Sequence, residues 1–209
     1  MKQQAEGLLA NEQQTKGVSQ EKLVLASKSQ RRVEILNAVG WPFESIPANI
    51  DETRHSDEDA VSYVKRLAQE KAEKVAQGIP SGLVLGADTI VFVDEEILGQ
   101  PRDENDARRM LRLLNDKWHD VLTGVALIRR SVDASRDEMV VEYEVTRVRF
   151  AEISDEEIDW YIATGEPMGK AGAYGIQGRA ALFIEEIKGD YFNIVGLPIR
   201  LVYELAARV

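Results

Sequence analysis

The chain has 209 residues, 44% of them hydrophobic and 30% charged, and its 26 Lys and Arg against 36 Asp and Glu give a formal net charge of -10. That balance argues against nucleic acid or an anionic membrane as the main partner. With no Cys and two His, disulfides, thiolate zinc sites and histidine-rich metal centres are excluded; a metal here would rest on carboxylates and be a hard cation such as Mg2+ or Mn2+.

The lack of Cys also fits a reducing cytoplasm, the expected location. No run approaches the roughly 20 apolar residues of a membrane helix. Residues 1–20 are polar and lack the apolar core of a signal peptide, so they read as an N-terminal extension. Residues 21–209 then make one domain of ordinary size.

Leu23 to Ala26 is a short apolar strand that runs into Ser27-Lys28-Ser29-Gln30-Arg31-Arg32. Val33, Ile35, Leu36 and Val39 then recur at helical spacing until Gly40. Two arginines at a helix start oppose the helix dipole, and an anion would relieve that conflict. The plain alternative is Ser29 as an ordinary N-cap with solvated arginines. Trp41 to Ile46 alternates as a second strand and leads to Asp51 and Glu52, paired acids just past a strand end. Ser56, followed by acids, reads as the cap of a helix whose inner stripe includes Val64, Leu67, Ala68, Ala72 and Val75. Lys71 lies on or beside that stripe, where it reaches a ligand or snorkels.

The central strand runs from Leu83 to Val93, with a hairpin at Asp94-Glu95-Glu96 and a return arm to Pro101. Asp88 is its anomaly, since a carboxylate inside a buried strand needs a compensating partner. Gly86 and Ala87 are small enough to let a ligand approach the backbone. A helix follows over Asp103 to Leu114. Trp118 to Ile128 reads as a strand interrupted at Thr123-Gly124, and Met139 to Phe150 as a long strand. Arg147 and Arg149 share one face of it, read as solvated or as a dimer face. Ser154 caps a helix through Ile162. Gly165 to Gly178 holds five glycines in fourteen residues, the mark of tight turns lining a pocket, with Lys170 and Gln177 as its polar offerings. Ala181 to Ile187 reads as a strand, Tyr191 to Val195 as its return, and Ile199 to Arg208 as the last helix.

Three of these segments in this order resemble the Maf family, the septum-formation inhibitor proteins: Leu25 to Arg32, Gly86-Ala87-Asp88-Thr89, and Lys170 to Gly178. The resemblance runs from about Lys22 to the C-terminus. It implies an α/β fold with an elongated mixed central sheet flanked by helices, and two lobes with a cleft between them. It implies cleavage of the α–β bond of a nucleoside triphosphate with a divalent cation. Carried over, Asp88 accepts the proton from water, and Glu52 and Asp88 hold the metal. Ser27, Arg31, Arg32 and Lys71 hold the phosphates, Lys170 is a further substrate-binding residue, and Arg31, Thr89 and Gln177 match positions tied to base choice. The third segment resembles the branch acting on dTTP and UTP. Other readings are 7-methyl-GTP, a non-standard purine triphosphate, or a non-catalytic regulator of division. A homodimer stays open. The chain departs from the family at Gln100, where a Lys is usual, at Gly169, where an acid is usual, and at Gln30, where Pro is common. Cations around Asp88 would hold its pKa low, which suits a carboxylate acting on metal-bound water.

Overall fold

The structure, a computed structural model, describes residues 22–209; the expected extension at residues 1–20 lies outside the described residues. Seven strands form one mixed sheet. In chain order they are β1 (Leu23–Leu25), β2 (Phe43–Ser45), β3 (Gly82–Val93), β4 (Glu96–Leu98), β5 (Trp118–Arg130), β6 (Glu138–Phe150) and β7 (Ile184–Lys188). Their lateral order is β2-β1-β3-β5-β6-β7, with β4 beside β3. The β2, β1 and β3 strands run parallel, and β3 through β7 pair antiparallel. Parallel neighbours need helical crossovers, which α1 (Gln30–Ala38) and α2 (Ala60–Ala76) supply.

Helix α2 covers one face of the sheet. Ala68, Ala72 and Val75 pack with Val24, Val84 and Ala126, and Val64 packs with Ile90 and Leu122. The opposite face carries two cores. One joins α1 and the last helix, α6 (Ile199–Ala206), to β1 and the first half of β3. The other joins α3 (Glu104–Leu114) and α4 (Asp155–Ala163) to the far ends of β3, β5 and β6. Between these two cores Thr123, Thr146 and Asn193 are fully buried.

Two glycines set how closely α2 lies on the sheet. A Cβ on Gly86 would enter the Ala68 carbonyl and sit 2.8 Å from the Ala72 nitrogen. One on Gly124 would enter the Val64 carbonyl and sit 2.9 Å from the Lys65 nitrogen. Gly86 therefore admits a helix, not the ligand expected from the sequence. Gly124 has the same purpose, and β5 runs unbroken through Thr123-Gly124.

Other elements also differ from expectation. Asp59, not Ser56, caps α2, accepting from Ser62 N at 2.7 Å. Residues 179–183 form a 3-10 turn before β7. Tyr191–Val195, expected as a strand, is a short helix, α5. The Asp190 side chain accepts from Phe192 N, and Gly196 closes the helix at φ 117°, a left-handed conformation that suits glycine. Local hydrogen-bonding chemistry overrode the apolar content of the segment there.

Gly86→Ala should push α2 off the sheet and cost about 1–3 kcal/mol, read as a fall in the thermal unfolding midpoint. Gly99→Ala, where nothing lies within 4 Å of the added methyl, should leave the midpoint unchanged. Equal midpoints for the two variants would refute the glycine-floor account.

Candidate active site

One edge of β3 is left without a strand partner over part of its length. β1 pairs with β3 only as far as Leu85, and β4 joins only at Val91. Residues 86–90 of β3 thus have β5 on one side and a cleft on the other. The cleft has a volume of about 1030 Å³. Ser27, Arg31, Arg32, Glu52, Lys71, Asp88, Thr89, Lys170 and Gln177 all line it, so the structure brings every site residue read from the sequence to one place.

Asp88 is 8% exposed and Lys71 equally buried. The Lys71 ammonium donates to Asp88 Oδ1 at 2.6 Å and contacts Glu52 Oε1 at 2.8 Å. Lys71 does not snorkel away; the close seat of α2 delivers it to the carboxylate. Tyr63 OH donates to Glu52 O at 2.7 Å and holds the acidic loop over α2. Burial raises the Asp88 pKa above the ordinary carboxylate value, while Lys71 and Arg32 oppose the rise. The sequence expectation ran the other way. Cations do surround Asp88, but loss of water outweighs them.

Glu52 and Asp88 converge on one point, now spanned by the Lys71 ammonium. Two oxygen-donor carboxylates fit a hard divalent cation. Among the described residues no three His, Cys, Asp or Glu side chains gather as a metal site, so the rest of such a cation's shell would come from phosphate and water.

The junction of β1 and α1 forms the cationic wall. Ser29 occupies the N-cap of α1 without a side-chain cap bond, and the first turn carries no acid. The Ser27 hydroxyl accepts from Ser29 N and from Arg32 Nη1, each at 3.1 Å. With both lone pairs engaged, its proton is free for an anion. Among the described residues Arg31 donates one hydrogen bond, Nε to Val195 O at 3.3 Å. Arg32 is buried and bonded through each guanidinium nitrogen: Nε to Gly196 O at 2.8 Å, Nη1 to Ser27, and Nη2 to Thr89 Oγ1 at 3.1 Å. Burial lowers the pKa of both arginines. Lys170 faces them from the glycine-rich loop, its pKa also lowered, by burial first and then by Arg31. Crowded, part-buried cations of this kind favour a bound anion.

The loop from Gly165 to Gly178 is organised by Glu166, which sequence reasoning passed over. Its carboxylate accepts from Tyr161 OH at 3.0 Å and Arg179 N at 3.1 Å, and its carbonyl accepts from Lys170 Nζ. Gly178 leaves room for that carboxylate, and Gly175 for the Lys170 stem. Tyr174 is buried against His119, Nε2 to OH 2.8 Å, and burial lowers the His119 pKa to about 3. Gln30, Gln100 and Gly169, the three departures from the family pattern, also line the cleft.

The fold is similar to that of the Staphylococcus aureus Ham1 protein. That chain matches with a TM-score of 0.51 at 12% identity, over 90% of this chain and 99% of its own. Sequence relatives lie much nearer. A Koribacter versatilis protein named dTTP/UTP pyrophosphatase is 50% identical over 186 residues, 89% of this chain and 93% of that one. Proteins of the same name from Symbiobacterium thermophilum and Bacillus cytotoxicus are 50% and 49% identical, each over 88% of this chain and 92% and 94% of their own. The model of Maf-like proteins matches residues 22–209. The chain belongs to the Maf family.

Lys71→Met removes the strongest charge opposing the rise in the Asp88 pKa. The acid limb of the kcat/KM pH profile should therefore move to higher pH, alongside a fall in the plateau. An acid limb that stays in place would show that Asp88 is not the titrating group.

Proposed function

We propose that the chain is a nucleoside triphosphate pyrophosphatase acting on dTTP and UTP. The single observation that carries this reading is the cleft itself, where a buried carboxylate faces a cationic wall within one polar cavity. The names of the relatives support the substrate choice.

Each residue has a task that follows from its chemistry. Arg31, the Ser27 hydroxyl and the free N–H groups of α1 receive phosphate oxygens. Lys170 adds a point charge from the glycine-rich loop. Lys71, once released from Asp88, can follow the triphosphate. Asp88, its pKa raised by burial, takes a proton from water attacking the α-phosphorus. The anhydride bond to the β-phosphate breaks, and the pair of electrons leaves on pyrophosphate. Glu52 and Asp88 are suited to hold Mg2+ or Mn2+. A bound divalent cation would neutralise phosphate charge and acidify water. Gln177 offers both a donor and an acceptor to a pyrimidine edge. Among the described residues no helix is long and apolar enough to cross a membrane. The cysteine-free composition supports placing the reaction in a reducing cytoplasm.

Gln100 supports a second reading. It puts an amide in the cleft where the family usually has a lysine, which weakens the phosphate site. A non-catalytic nucleotide-binding regulator would bind dTTP and UTP without turnover.

A nucleotide panel read by pyrophosphate release separates these readings. We expect release from dTTP and UTP with Mg2+ or Mn2+ and none with chelator. Asp88→Asn should lose on the order of 10²–10⁴ in rate while keeping its unfolding midpoint. Full activity in that variant, or no release by the native chain, defeats the proposal.

A further inference from the structure

Glu52 sits on the long connection between β2 and α2, residues 46–59, which has no regular element. Ile46 and Ala48 pack against the core that α2 forms with the sheet. Among the described residues, no backbone–backbone hydrogen bond ties residues 47–54 to a strand or a helix. The Glu52 side chain is 54% exposed. An exposed carboxylate on such a segment loses much of its attraction to a neighbouring cation to the entropy of holding one geometry. Glu52 nevertheless meets Lys71 at 2.8 Å, on the ammonium that also pairs with Asp88.

Two side chains of α2 supply the hold. Tyr63 OH donates to the Glu52 carbonyl at 2.7 Å, and Arg66 Nη2 donates to the next carbonyl, Thr53 O, at 3.1 Å. The Thr53 N–H is taken by Asp51 Oδ1 at 2.9 Å. Residues three apart on a helix are neighbours, and the Arg66 guanidinium lies 5.6 Å from the Tyr63 ring centroid. Arg66 is itself fixed. Its Nε and Nη2 fork onto the Glu58 carboxylate, the second at 2.9 Å, and Nη1 reaches both Glu70 oxygens at 3.2 Å. Arg66 is 18% exposed and Glu58 10%, so this bidentate pair is largely out of water, where it is strong and directional. Glu58 belongs to the same connection and also accepts from His55 N at 2.9 Å. The connection is thus closed back on α2 at Glu52, Thr53 and Glu58.

We propose that Tyr63 and Arg66 are positioning residues that fix the Glu52 backbone, so that its carboxylate is preorganised to share a divalent cation with Asp88. The inference deepens the pyrophosphatase reading and rests on it. Among the described residues neither side chain belongs to the lining of the cleft, so both act through Glu52. With its carbonyl and the next one released, the Glu52 carboxylate would sample many positions, and the cation would lose part of one ligand.

Electron paramagnetic resonance of Mn2+, with the non-hydrolysable α,β-methylene analogue of UTP bound, reads this without turnover. Tyr63→Phe and Arg66→Met should each weaken Mn2+ binding on the order of tenfold, the scale for a residue that orients a metal ligand. Affinity for the analogue in chelator should match the native chain, because the cationic wall at α1 is untouched. In a Glu52→Gln background neither substitution should weaken Mn2+ further, since all three act through one carboxylate. Native Mn2+ affinity in both folded variants overturns the inference. A full further loss in the Glu52→Gln background, or an equal loss of the analogue in chelator, also overturns it, since either marks a merely structural role. If Arg66→Met does not fold, Tyr63→Phe decides alone. A native chain that binds the analogue but no Mn2+ with it sinks the metal-dependent reading and the inference together. A native chain that binds Mn2+ no more tightly than its variants sinks the inference and leaves that reading standing.

Discussion

The contact between the Lys71 ammonium and the Asp88 carboxylate is the constraint from which the rest of the site follows. A buried ion pair of this kind gains little net stability, because removing both groups from water costs about as much as their attraction returns. The raised Asp88 pKa has the same origin, since burial outweighs the two cations beside it. The pair exists only because α2 lies on a floor cleared by Gly86 and Gly124. A helix one methyl further out would leave Lys71 short of β3. The fold thus spends backbone freedom at two glycines to hold one carboxylate in a dry but reachable place. Such an arrangement is poor as a structural element and well suited to proton transfer.

Arg31 and Arg32 are adjacent in sequence and carry different loads. Successive residues on a helix point about 100° apart, so one turns toward the cleft and the other into the protein. Arg32 ties β1, β3 and the end of α5 together through one bond from each guanidinium nitrogen. Its contribution to ligand binding rests on the N–H groups it has left. Arg31 donates a long hydrogen bond to the Val195 carbonyl and can give it up to a phosphate. Residue type and spacing make the two look equivalent; only the packing of α5 distinguishes them.

Much of the site was readable because its chemistry conflicts with its local setting. A carboxylate in an apolar strand, arginines at a helix start and five glycines in one loop each break a local rule, and each lies on the cleft. The strands and long helices were legible from their periodicity, since α2 and β3 are long enough for the pattern to repeat. Short elements were not. α5 has five residues, fewer than two turns, and its apolar content suits a strand equally well. Thr123 and Gly124 looked like a break because a Thr-Gly pair favours turns. Their purpose depends on α2 and Thr89, both distant in sequence. Glu166 was hidden in the same way: its partners are backbone groups and cavities beside glycines, and these leave no residue-type signature.

The protein is acidic overall, yet its ligand reading is a polyanion. The cleft resolves this by separating the charges. Arg31, Arg32 and Lys170 form one wall, and Glu52 and Asp88 sit together at the other with Lys71 between them. Much of the remaining acid is engaged in ion pairs elsewhere, as at Glu58 with Arg66 and Asp155 with Arg112. A bare triphosphate entering the cleft would meet attraction from one wall and repulsion from the two carboxylates. A triphosphate carrying a divalent cation presents opposite charge to both walls. In a partly desolvated cavity these interactions are weakly screened, so the same geometry that buries Asp88 favours the metal complex of a nucleotide over the nucleotide alone.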